Sequence, residues 1–66
     1  MCRNIKQLRH PEQAPTDEEI RDAALQFVRK VSGYRKPSKA NQATFDQAVE
    51  QISQATRVLL DNLITR

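Results

Sequence analysis

Apolar residues return every three or four positions over two long stretches of the chain. After Ile20 they fall at Ala23, Ala24, Phe27 and Val31. After Phe45 they fall at Ala48, Val49, Ile52, Leu59, Leu60 and Leu63, with Thr56 as the one polar member of the stripe. This is the one-face repeat of an α-helix and not the alternation of a strand. It predicts a short helix over about residues 17–32 and a long one over about residues 39–64.

Local signals set the ends. Thr16 followed by Glu19 forms a capping box, and Asp17, Glu18 and Glu19 suit the positive end of a helix dipole. Arg29 and Lys30 fall in the last turns, and Gly33 is placed to close the helix in a left-handed conformation. Ser38 is the expected N-cap of the second helix. The Thr56 hydroxyl can be satisfied by the carbonyl of Ile52 one turn back. Leu25 and Val58 fall outside the two stripes, Leu25 about 140° from Ile20 at roughly 100° per residue. Val28 lies at the stripe's edge.

Residues 1–10, MCRNIKQLRH, alternate weakly and lack a cap, and PEQAP from Pro11 to Pro15 reads as a linker. The chain is thus one small domain, 1–66, with an arm and linker over 1–15. At 1.5 Å per residue the helices are about 24 and 39 Å long. In an antiparallel hairpin, Leu59, Leu60 and Leu63 therefore overhang the shorter partner. Either Ile5 and Leu8 of the arm or a second copy must cover them, because two helices rarely close a core. The expected fold is all-α: an αα-hairpin with an N-terminal arm, assembled as a homo-oligomeric bundle. Leu59, Leu60, Leu63, Leu25 and Val58 are its expected interface.

Composition sharpens this picture. With 66 residues, no Trp and one cysteine, the chain cannot form an internal disulfide and has few aromatic anchors. The lone cysteine and the lack of a secretory apolar region predict a reducing, cytoplasmic setting. No apolar run is long enough to span a membrane. The net charge of +3 hides strong segregation. Five acids and one Arg lie between Pro11 and Val28, whereas Arg29, Lys30, Arg35, Lys36 and Lys39 follow within eleven residues with no acid among them. The same short segment, RKVSGYRKPSK, holds the only Gly and the only Tyr.

That segment is the strongest candidate site. Clustered cations with Tyr34 available to stack on a base have the footprint of a phosphate or nucleic-acid contact. Arg3, Lys6 and Arg9 are expected to help. The plain alternative is a solvated loop whose cations complement the end of the first helix. Cys2 follows the initiator Met and could serve as an N-terminal nucleophile with the α-amine as its base, but no oxyanion hole or substrate pocket accompanies it. Cys2 and His10 together are too few ligands for a structural zinc within one chain, though two copies supply four. The acids Asp17, Glu18, Glu19 and Asp22 read as helix-start electrostatics. No Gly-rich phosphate loop, Ser/His/Asp set or paired Cys motif is present, so the reading is non-enzymatic and without a cofactor.

The opening MCRNI, the centre AALQFVRKVSGYRKPSKAN from Ala23 to Asn41, and FDQAVEQISQATRVLLDNL from Phe45 to Leu63 resemble a family of small bacterial proteins of unknown function. The resemblance runs over nearly the whole chain and implies no mechanism. The residues themselves suggest a binding module that meets RNA or a ribonucleoprotein through the basic connection. A structural or adaptor protein acting through its apolar face, toward itself or another protein, is the alternative. A metal or thiol site at Cys2 is a weaker one.

Overall fold

The computed structural model describes residues 7–10 and 12–64. Helix α1 spans Asp17–Ser32, a single 3₁₀ turn spans Lys39–Asn41, and helix α2 spans Gln42–Asn62. The two helices pack antiparallel as a hairpin, with no strand among the described residues.

The start and stop of α1 follow the local chemistry. The Thr16 hydroxyl accepts from the amide of Glu19 at 3.1 Å, and the Glu19 carboxylate accepts from the amide of Thr16 at 2.9 Å. Two amides that a helix start leaves without partners are thereby satisfied. Gly33 adopts φ 81°, and its amide donates to the carbonyl of Arg29 at 2.9 Å. A side chain at that φ is strained in its own backbone.

The second helix starts later than expected. Ser38 stays extended and makes no side-chain cap. The chain then tightens into the 3₁₀ turn, and regular α-helix begins only at Gln42 after Asn41 turns with φ −108° and ψ 5°. Its far end stops at Asn62, because Leu63 is extended. Within α2 the Thr56 hydroxyl donates to the carbonyl of Ile52 at 2.7 Å, and Ser53 does the same to Val49 at 2.7 Å.

The core is small: Ile20, Ala24, Val28, Phe45 and Val49, with Leu25, Ala48 and Ile52 packed at its margin. On α2 this is the expected stripe. On α1 it is not. Phe27 and Val31 are 54% and 68% exposed, and Ala23 is exposed, whereas Val28 is buried to 7%. Leu25, expected at a back face or interface, packs against the core instead. The cause is the way helices cross. Contact follows rows at spacing four, which slant across a helix. Ile20, Ala24 and Val28 form such a row, all three are buried, and Ala24 and Val28 cluster with Phe45 and Val49 on α2. Each step of four advances about 40° around the axis, carrying contact toward Leu25 and away from Phe27.

The length mismatch is real. Arg21 pairs with Glu50 at 3.2 Å and Arg57 with Asp17, so α1 ends opposite Arg57 and the remainder of α2 runs past it. The arm fills part of that space: Gln7, Arg9, His10, Ala14 and Pro15 share a shallow groove with Arg57, Leu60 and Asp61. Leu8 is half-buried and Pro15 is buried. Ile5, the other residue expected to cover the overhang, lies outside the described residues. Val58, Leu59 and Leu63 are exposed, whereas Leu60 is half-buried.

Two valines one turn apart test the orientation of α1. Val28→Ala removes buried methyls and should cost about 2 kcal/mol. Val31→Ala should stay within about 0.5 kcal/mol. Urea melts of the two variants measure both, and equal costs would mean that α1 faces α2 with the other stripe.

Candidate anion-binding end of the hairpin

The connection from Gly33 to Asn41 is held by side chains at short range. The amide of Tyr34 donates to the Ser32 hydroxyl at 3.1 Å. Arg29 Nε donates to the carbonyl of Arg35 at 3.0 Å, tying the last turn of α1 across the loop without using either terminal amino group. Asn41 Nδ2 donates to the Ser38 hydroxyl at 3.0 Å and to the Tyr34 hydroxyl at 3.4 Å. The Tyr34 ring is therefore positioned by its hydroxyl and remains 43% exposed.

The cations belong to the same end of the hairpin as this ring: Arg29, Lys30, Arg35, Lys36 and Lys39, all of them exposed. The ion pairs Arg21–Glu50, Arg57–Asp17 and Arg57–Asp61 use cations outside this segment. The start of the 3₁₀ turn and of α2 faces the same end. Neither Ser38 nor Asn41 caps it with a side-chain hydrogen bond. The positive end of the helix dipole adds to the local potential.

Arg9 is not part of this cluster. It lies with the arm beside Arg57 and Asp61, at the far end of α1 and roughly 24 Å away along a helix of that length. Arg3, Lys6 and Cys2 lie outside the described residues. His10 is exposed, and its carbonyl accepts from the amide of Gln13 at 3.4 Å. Among the described residues no group of three or more His, Cys, Asp or Glu is placed to hold a metal ion. No described helix is long and apolar enough to cross a membrane.

One residue matters more than its sequence position suggested. Arg57 falls outside the apolar stripe of the second helix, yet it is half-buried at the joint of arm and helices. Its guanidinium binds Asp17, donates to the carbonyl of Pro15 at 3.4 Å and lies 3.6 Å from Asp61. The hydrogen bond it donates to the Asp17 carboxylate holds its pKa above the ordinary arginine value. The pairing with Asp61, four residues on, was legible in the sequence. The pairing with Asp17, forty residues back, needed the hairpin.

Arg57→Met keeps most of the stem and removes the charge. It should free the arm, so that the amide of Gln13 exchanges with deuterium several-fold faster in mass spectrometry. An unchanged rate would show that the arm is held by other contacts.

A family model described as an uncharacterized conserved protein (DUF2277) matches residues 1–66. No curated protein and no solved structure matches the chain.

Proposed function

We propose that this chain, which belongs to that family of uncharacterized conserved proteins, is a non-enzymatic module that binds an anionic macromolecule, most simply single-stranded RNA. The observation that supports this reading is the basic end itself: five exposed cations at the same end of the hairpin as a surface tyrosine whose hydroxyl accepts from Asn41 at 3.4 Å. Arg35, Lys36 and Lys39 meet phosphates, Arg29 and Lys30 flank them, and Tyr34 offers a face on which a base can stack. A ring held by a hydrogen bond loses less freedom on binding than a loose one. Arg9 lies too far away to join this contact and is left out of it.

The exposed overhang supports a second reading. Leu59 and Leu63 are exposed on the part of the chain that runs beyond the end of α1, where another protein could cover them. Leu59→Asp would abolish such an interaction while leaving the basic end untouched.

RNA binding makes a quantitative prediction. A labelled oligonucleotide should bind with a slope of log K against log salt of roughly −2 to −3.5, for about three to five phosphate contacts. The double change Arg35→Glu and Lys36→Glu should weaken binding at least about tenfold and flatten the slope. Absent or salt-insensitive binding would sink the proposal.

A further inference from the structure

The rotation of α1 leaves a side of this helix with a defined pattern. Glu19, Ala23, Gln26, Phe27 and Lys30 follow one another at spacings of three and four, and all five are exposed. At about 100° per residue they form one strip beside the row that packs on α2. The strip is acidic at its start, small and then aromatic in its middle, and basic at its end. Such an order is self-complementary when the helix meets a copy of itself running the other way.

We infer that α1 is the centre of a two-fold homodimer in which Phe27 of each copy packs over Ala23 of the other and Glu19 faces Lys30 across the pair. In an antiparallel pair centred between Ala24 and Leu25, Phe27 falls in the hole bordered by Glu19, Asp22, Ala23 and Gln26 of the second copy. Ala23 makes that hole deep enough for a ring. The same register brings Glu19 opposite Lys30 at both ends, as a two-fold axis requires, since each contact occurs twice. Phe27 in solution on a monomer, by contrast, leaves one of only two phenylalanines more than half exposed.

α2 joins the contact. A helix about 24 Å long and 10 Å wide is too small to supply roughly 800 Å² per partner on its own. In an antiparallel hairpin, positions offset in the same rotational sense from the two buried rows lie on one side of the molecule. Ala48, Ile52 and Leu59 are offset from the Phe45–Val49 row in the sense that Phe27 is offset from the Ile20–Val28 row. Stacking two hairpins through this side makes a four-helix bundle whose neighbours all run antiparallel.

This arrangement is independent of anion binding, and its test needs no nucleic acid. Light scattering should give the wild-type chain twice its 7.6 kDa mass at micromolar concentration. Phe27→Glu should be a monomer with unchanged helical circular dichroism, because Phe27 is outside the core. The charge pair gives a sharper result. Glu19→Lys alone and Lys30→Glu alone should each dimerise at least about tenfold more weakly than wild type, because each places like charges opposite. Mixing the two variants should restore a dimer containing one of each, detected by native mass spectrometry. The mixture also controls for the capping box that Glu19→Lys breaks. The inference is overturned by a wild-type chain that stays monomeric up to about 1 mM. It is equally overturned by a dimer that Phe27→Glu leaves intact, or by a mixture that forms no mixed dimer.

Discussion

A sixteen-residue helix cannot cover a twenty-one-residue one. The return of the arm answers that mismatch. Ala24 and Val28 cluster with Phe45 and Val49, and with Ile20 they are, among the described residues, the five apolar ones closed from water in the core between the helices. Beyond Arg57 the long helix has no helical neighbour. Pro15 and the residues before it fold back over Leu60, and Arg57 fastens that return through Asp17 and the carbonyl of Pro15. A chain of about sixty residues buries only about 60% of its unfolded surface in any case. With so few buried side chains, Phe27, Val58, Leu59 and Leu63 are left exposed on the hairpin.

What could be read from the sequence was what depends on neighbours in the chain. Thr16 and Glu19 are three residues apart, so their mutual capping needs no tertiary information. The same is true of Gly33 closing α1 and of Thr56 bonding back to Ile52. The hairpin itself followed from two periodic stretches joined by a short basic turn. The orientation of α1 did not follow, because a helical stripe drawn parallel to the axis ignores the slant of a crossing contact. Ile20 belongs to both lines, so it was right under either; Phe27 and Val28 exchange roles between them. The late start of α2 was hidden for a different reason. Ser38 has the chemistry of a cap, but its hydroxyl receives the Asn41 amide group while Asn41 also holds Tyr34.

That small network links fold to site. Asn41 bridges the 3₁₀ turn to Tyr34, and Arg29 bridges α1 to the carbonyl of Arg35. The loop that holds the cations is therefore braced from both helices. A braced loop keeps its charges close together, and like charges held close raise the local potential at a cost in repulsion. The acids of the chain do not relieve that cost, since Asp17, Glu18 and Glu19 occupy the opposite end of α1. Along α1 the segregation seen in the sequence is thus preserved in space, with Asp17, Glu18 and Glu19 at one end of the helix and Arg29 and Lys30 at the other.

A molecule polarised in this way constrains how copies of it meet. Parallel association brings the five cations of each turn together and is opposed by their repulsion. Antiparallel association places each basic end beside the other copy's acidic one, in the direction that Glu19 and Lys30 favour. It also leaves the two loops at opposite ends of the bundle, more than a Debye length of about 8–10 Å apart at moderate salt, so that neither suppresses the other's field. Self-association through α1 and anion contact through the loop then use different faces of one hairpin. Lys30 is the residue at their border. In the dimer it is directed along the helix toward Glu19 of the second copy, which leaves Arg35, Lys36 and Lys39 as the cations that belong to the loop alone.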